Sequence, residues 1–273
     1  MSLKTSKAVK DSMDLAWIKT ADDYLSLVHD WDDPNPAPVL ETYGNITVVR
    51  DDLLGDGAKV RFIDYMLKSA GADVEEWVYG SSPRWGFGQI SLSSIAKKYG
   101  KKCTLFLAES AEWHNNTKRA IANGATAYKV PMGFMTVCEA RARAYVAKTP
   151  GSRMVPFGLA DDTVYGSIIK VARSLPITPE EVWTVAGSGT LNRGLQLAWP
   201  KVPCNMVSVG HVLTTEEIGR ATVHRHYLKF AQQCKKPQLP PFPSVGEYDA
   251  KAWEYIQKYA NPKKKILFWN VGA

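Results

Sequence analysis

A lysine and two glycine-rich turns are the parts of this chain whose residue types and spacing could do chemistry. Lys59 lies in Gly55-Asp56-Gly57-Ala58-Lys59-Val60-Arg61, after the strand-like run Ile46-Thr47-Val48-Val49-Arg50. The apolar residues Phe62, Ile63, Met66 and Leu67 follow the lysine by three, four, seven and eight positions, so a helix here puts the amine on its apolar face. Such a lysine either snorkels to water or is desolvated, and desolvation lowers its pKa so that it can attack a carbonyl. Spacing alone favours snorkelling. Gly187-Ser188-Gly189-Thr190-Leu191-Asn192-Arg193-Gly194 joins a strand to a helix, where backbone N–H groups, the helix dipole and the hydroxyls of Ser188 and Thr190 suit a phosphate. It has neither the Walker sequence nor the dinucleotide spacing, and a glycine turn alone is more often a tight connection. Gly80-Ser81-Ser82-Pro83-Arg84-Trp85-Gly86-Phe87-Gly88 is a second turn before a helix, suited to a carboxylate. Together these stretches suggest a phosphate-bearing cofactor, a carboxylate substrate and an amine that forms a Schiff base.

The elements that must position these residues alternate. Strands are expected at 46–50, 77–79, 103–107 and 127–130, with helices from 59, through Leu92, Ile95, Ala96 and Tyr99, and at 115–123 and 136–147. A second series has strands at 154–156, 182–186 and 204–209, with helices at 164–175 and 191–199. Before them stands a helix at 11–28; after them come a proline-rich loop at 237–243, a helix at 248–259 and a strand at 266–270. Strand–helix alternation with short connections implies an α/β fold of parallel sheet flanked by helices.

Composition narrows the classes. With 273 residues, 45% hydrophobic and 22% charged, the chain can bury a large core and is neither disordered nor collagen-like. It has no apolar run of membrane-spanning length and no secretory signal is visible in its first residues, so a cytoplasmic location is the default expectation. Cys103, Cys138, Cys204 and Cys234 are too dispersed for a zinc site or disulfide framework, and no metal is expected. A net charge of +7, basic clusters such as Lys263-Lys264-Lys265, and nine tryptophans favour an acidic partner mildly, although solvated faces and core tryptophans explain them at least as well.

Val49-Arg50-Asp51-Asp52-Leu53 followed by Gly57-Ala58-Lys59-Val60-Arg61-Phe62-Ile63-Asp64-Tyr65 resembles a K-R-D-D-L…G-G-N-K-x-R-K-L-E-Y signature. That signature belongs to the aminocyclopropane-carboxylate deaminase and D-cysteine desulfhydrase branch of the fold-type II pyridoxal-phosphate enzymes, the tryptophan synthase β superfamily. The stretch 81–89 resembles the superfamily's S-S-G-N-H-G-Q-G substrate loop, the turn at 187 its cofactor-phosphate loop, and Ile266-Leu267-Phe268-Trp269-Asn270-Val271-Gly272-Ala273 the branch's V-L-F-x-H-T-G-G strand. The resemblance runs from about residue 36 to residue 273, and the chain stops at that strand, short of the further elements the branch carries.

The resemblance implies a two-lobed fold-type II enzyme with parallel and mixed sheets, a smaller lobe over 60–150 carrying the substrate loop and a larger one from 1–59 and 151–273. It implies pyridoxal 5'-phosphate held as an aldimine by Lys59, with Gly187, Ser188, Gly189 and Thr190 on its phosphate. Arg84 stands where the superfamily has an asparagine at the pyridoxal 3'-oxygen, and Asn270 is the candidate at the pyridine nitrogen, since Val271 replaces the branch's threonine. Ser81, Ser82, Arg84, Trp85 and Tyr165 are the expected substrate contacts. The implied reaction is elimination with deamination, or decarboxylation, at the Cα of an amino acid, with a homodimer as the implied assembly. Two alternatives stay open: an amino acid carried on a nucleic-acid base or other polyanion, and an inactive descendant that only binds a ligand or partner. Among other residues, Glu247 and Tyr248 are weaker acid/base candidates, Asp161 reads as a helix cap, Cys103 and Cys204 as core, and His224 and His226 as surface helix histidines rather than metal ligands.

Overall fold

The structure, a computed structural model, describes residues 19–81, 86–210 and 212–273. Ser82, Pro83, Arg84 and Trp85, and the part of the N-terminal helix expected over 11–18, lie outside the described residues.

Two sheets organise the chain. The larger is built from β1 (Leu40–Tyr43), β2 (Ile46–Arg50), β7 (Glu181–Ala186), β8 (Cys204–Ser208), β9 (Thr222–Arg225) and β10 (Ile266–Asn270), in the order β1-β2-β10-β7-β8-β9. Only β1 runs antiparallel to its neighbour. The smaller sheet, in the order β5-β4-β3-β6, is parallel throughout: β3 (Glu76–Ser81), β4 (Lys102–Ala108), β5 (Thr126–Val130) and β6 (Ser152–Met154). Every residue of β3, β7 and β10 is buried, which is why these strands read as nearly unbroken apolar runs rather than alternating ones.

Helices cover both sheets: α1 (Ala21–Leu27), α2 (Lys59–Lys68), α3 (Gly88–Lys98), α4 (Asn115–Ala122), α5 (Met135–Val146), α6 (Asp162–Ser174), α7 (Thr190–Ala198), α8 (Thr215–Ile218) and α9 (Lys251–Tyr259). Their starts follow local chemistry. Thr20 and Asp23 form a capping box on α1, and Asp161 caps α6 by accepting from the Thr163 N–H, as its position predicts. The apolar stripe of α2 is buried, with Phe62, Ile63, Met66 and Leu67 at 5% exposure or less.

Several expectations change. The smaller sheet extends past residue 150, because β6 pairs with β3. β1 was not anticipated: its Leu-Glu-Thr-Tyr sequence is only half-buried, and a hairpin through Gly44 at φ 65° lays it on the sheet edge. His224 belongs to strand β9 rather than a helix, stacked on Trp183, and His226, just beyond β9, is 6% exposed, 3.0 Å from Glu254 and accepting the Leu228 N–H. Trp31, Trp77, Trp183 and Trp269 are interior, which removes them from any surface that could stack on a polyanion. Cys103 and Cys204 are core residues, and burial pushes their thiols up to about 12 and about 11. Among the described residues, no helix is long and apolar enough to cross a membrane, and no three His, Cys, Asp or Glu side chains gather to hold a metal ion.

Candidate active site

The parallel strands converge on a cavity of about 370 Å³. Its walls come from the carboxyl ends of β3 and β7, the residues after β8 and β10, and the starts of α2, α3 and α7, the usual place for a ligand in open α/β sheets. Lys59, Ser81, Gly187, Ser188, Gly189 and Thr190, residues singled out from sequence, all line it.

Lys59 is the first residue of α2, held against the end of β10 by the Ala58 N–H donating to the Val271 carbonyl at 2.9 Å. Its side chain lines the cavity. Burial there lowers the ammonium's pKa, and the charge of Asp249 acts the other way. Asp249 is 1% exposed, and burial raises its carboxyl well above the usual range against the opposing pull of the Val271 and Gly272 N–H groups and of Lys59. One oxygen accepts from the Val271 N–H at 3.3 Å; the other, Oδ1, is buried without a hydrogen-bond partner among the described residues. An unmet buried carboxylate oxygen costs on the order of 1–3 kcal/mol, which sets this cavity-lining group apart from the satisfied polar interior.

The glycine turn has the geometry of an anion cradle. Gly189 caps α7 at φ 74°, and a Cβ there would lie 2.4 Å from the Glu217 carbonyl oxygen, so only glycine fits. Ser188 and Thr190 bring their hydroxyls within 3.1 Å of each other at the start of this nine-residue helix. Across from them a Cβ on Gly158 would reach 2.1 Å from Ser188 Oγ, so the second wall of the cradle is kept bare. The Gly187 N–H donates to the Tyr248 hydroxyl at 2.8 Å. Burial and the neighbouring Asp249 charge raise the Tyr248 phenol further above its ordinary value.

On the opposite wall Ser81 ends β3 and is 5% exposed, with Tyr79 two residues earlier on the same face of the strand. Burial raises the Tyr79 phenol, and a hydrogen bond with Ser81 works against that rise.

Two expected site residues do not line the cavity. Asn270 is fully buried and its amide is already engaged: Nδ2 donates to Asp52 Oδ1 at 2.8 Å and to the Pro243 carbonyl at 2.9 Å, while Oδ1 accepts from Ser244 Oγ at 2.8 Å. It ties β10 to the strand end at Asp52 and is not among the cavity's lining residues. Tyr165 packs edge-on against Tyr24 with ring centroids 5.5 Å apart, and Val164 and Ile168 of the same helix line the cavity instead. Glu247 accepts from Gln233 Nε2 and does not line the cavity, whereas its neighbours Tyr248 and Asp249 do. Sequence reasoning missed Asp249, Tyr79, Gly158 and Phe87. Asp249 carried a usable signal: an acid before an amphipathic helix, where α9 has no side-chain cap and the carboxylate is free for other work.

No protein-family model matches the sequence, and no curated protein matches it. Solved structures match its fold over nearly its whole length. Threonine deaminase isoform 2 from Solanum lycopersicum superposes with a TM-score of 0.70 at 13% identity, covering 93% of this chain and 84% of that one. An L-serine ammonia-lyase from Rhizomucor miehei gives 0.67 at 13% identity, covering 89% and 95%, and serine racemase from Dictyostelium discoideum gives 0.66 at 11%, covering 93% and 96%. The chain therefore has the fold-type II architecture of these enzymes.

Proposed function

We propose that the chain is a pyridoxal-phosphate-dependent enzyme acting at the Cα of an amino acid through Lys59, of lyase type. The observation that carries this reading is the joint presence, in one cavity, of a desolvated lysine, a buried carboxylate with an unpartnered oxygen and a hydroxyl-lined helix start. The ammonia-lyases and the racemase among the structural neighbours act on amino acids, which supports the substrate class. Elimination with deamination, in the manner of the aminocyclopropane-carboxylate deaminase and D-cysteine desulfhydrase branch, is the reaction favoured by the Lys59 signature; decarboxylation is the alternative.

When bound, pyridoxal phosphate supplies an aldehyde that links covalently to amines and an electron-withdrawing ring that weakens bonds at Cα. The chain's residues divide the remaining work. Lys59 Nζ, kept less basic than a free lysine, is the amine that would carry the cofactor and, when free, would take or return a proton at Cα. Asp249 Oδ1, the unmet acceptor, is the group suited to the ring nitrogen and replaces Asn270 in that role. Ser188, Gly189 and Thr190 would hold the phosphate with N–H and hydroxyl donors at the positive end of α7, while Gly187, whose N–H is given to Tyr248, lines the turn without a Cβ. Ser81 and the start of α3 receive the substrate carboxylate. Phe62, Phe157, Val209 and Phe230 wall the site with apolar surface, which excludes water and strengthens the charge interactions inside.

The test is an absorption spectrum of purified protein with added pyridoxal phosphate, followed by borohydride reduction and mass mapping. A pyridoxyl group on Lys59 is the expected result. A modification on any other lysine, or a visible band that survives Lys59→Ala, overturns the assignment.

A further inference from the structure

We propose that Phe87 is a positioning residue: its ring, wedged between Gly57 and Gly272, fixes the spacing of three site-forming segments. These are residues 86–88 at the start of α3, the turn ahead of Lys59, and the end of β10 that anchors Asp249.

The steric facts are reciprocal. A Cβ on Gly57 would lie 2.6 Å from Phe87 Cδ1 and 2.8 Å from Cγ, and a Cβ on Gly272 would lie 2.5 Å from Cε2 and 2.7 Å from Cζ. Two glycines from opposite ends of the sequence are thus kept bare by opposite edges of one ring. Gly57 is doubly constrained, because its φ of 80° also favours glycine. Gly272 is not in the left-handed region, so its φ does not demand glycine; the three atoms an added Cβ would meet first all belong to the Phe87 ring.

The three segments are also hydrogen-bonded to one another around the ring. The Phe87 carbonyl accepts from the Ser91 N–H at 2.9 Å, and Ser91 Oγ reaches the Asp56 carbonyl at 2.6 Å, which ties the first turn of α3 to the loop before Lys59. The Val271 carbonyl holds the Ala58 N–H at 2.9 Å, and the Val271 N–H holds Asp249 Oδ2 at 3.3 Å. The Gly272 carbonyl in turn accepts from the Val245 N–H at 3.2 Å. A displacement at Gly272 therefore reaches both the lysine and the carboxylate through single hydrogen bonds. Phe87 also lines the cavity, so the wedge connects the wall that receives substrate to the groups that hold the cofactor. Packed interiors transmit such displacements because they have no slack to absorb them.

A double-mutant cycle over G272A and F87L tests the wedge, since leucine lacks the Cε2 and Cζ atoms that an alanine at 272 would meet. The readouts are the pyridoxal-phosphate Kd from quenching of tryptophan fluorescence, the position of the visible absorption band, and the Tm of cofactor-free protein. With Phe87 present, G272A is expected to weaken Kd at least tenfold and to shift the band; in the F87L background the same substitution changes Kd less than threefold. Equal effects in both backgrounds, or wild-type affinity and band position in G272A, overturn the proposal. If G272A alone does not yield folded protein, recovery of folded protein in the double variant supports the wedge, and failure to recover it overturns it. The cofactor readouts rest on the function proposed above. Should wild-type protein bind no pyridoxal phosphate, that reading fails by itself, and non-additive Tm changes across the four cofactor-free proteins still support the wedge, while additive ones refute it.

Discussion

Two cations stand two residues apart on α2 and are treated in opposite ways. Arg61 is 1% exposed and surrounded by acceptors: it donates to Asp33, to the Pro36 carbonyl at 3.0 Å and to Asp51 Oδ1 at 3.0 Å, leaving only Nε unmet. Asp51 is completed by the Trp269 indole N–H at 2.8 Å. Lys59 has the charge of Asp249 nearby and a lowered pKa. Burying either cation costs several kcal/mol before any partner is counted. Around Arg61 the chain offsets that cost with hydrogen bonds, and the result is a joint between α2, the strand end at Asp51 and β10. At Lys59 the cost is left standing, and the result is an amine that gives up its proton below the ordinary lysine range. The difference separates a charge that holds structure from one that is held ready by structure.

Removing Lys59 should have the largest functional effect. Lys59→Ala is expected to lower turnover of any amino-acid substrate by at least about 10³-fold and to abolish the borohydride-trapped adduct, with the fold intact by circular dichroism. Arg61→Met should do the reverse, costing about 3–5 kcal/mol of stability in urea titration because Asp51 is left buried without its counter-charge. A loss below about 1 kcal/mol would mean that the Arg61 network is not the joint described. Asp249→Asn comes next: pyridoxal-phosphate affinity should fall by about tenfold or more, while cofactor-free protein becomes more stable at neutral pH. The sign follows from the raised carboxyl: folded protein holds this proton to a higher pH than unfolded protein does, so wild type loses stability as pH rises above the unfolded value of 3.8 toward the folded pKa. Asparagine removes that loss. The lowered Lys59 works in the other direction, its penalty growing as pH falls from 10.5 toward the folded pKa, so cofactor-free Lys59→Ala should lose the rise in stability that wild type shows on going up through that window. Tyr165→Phe should be the smallest change, within about twofold in kcat/KM, because the ring lies against Tyr24 rather than in the cavity; a tenfold loss would return Tyr165 to the site.

How much could be read before the structure depended on whether a signal was local. Strands β3, β7 and β10 are buried on both faces and announce themselves as apolar runs; Lys59 and the 187–190 turn are flanked by such elements, so their placement followed. β1 was missed because an edge strand with one solvated side carries little hydrophobic pattern. His224 was misplaced because Thr-Val-His-Arg is too short to show a period, and Asn205 and Trp183, which hold it, come from neighbouring strands. That Asp249 lines the cavity and Asn270 does not was hidden for the same reason. The amide of Asn270 is consumed by Asp52 and Ser244, far away in sequence, and Asp249 is turned into the cavity by backbone N–H groups after β10. Partner choice between distant segments is invisible to spacing.

The placement of β10 between β2 and β7 also orders events in time. Ile266 pairs with Ile46 and Glu181, so the middle of the larger sheet stays open until the last strand arrives, whereas β3 to β6 occupy one continuous stretch of chain. Closing so long a loop carries a greater entropic barrier than closing the short ones of the smaller sheet. Pulse-labelled hydrogen exchange during refolding is expected to protect β3 and β4 before β2 and β7; simultaneous protection would contradict this order. On this schedule the cavity is among the last features to form, because Lys59, Asp249 and the 187–190 turn have nothing to face until β10 has docked.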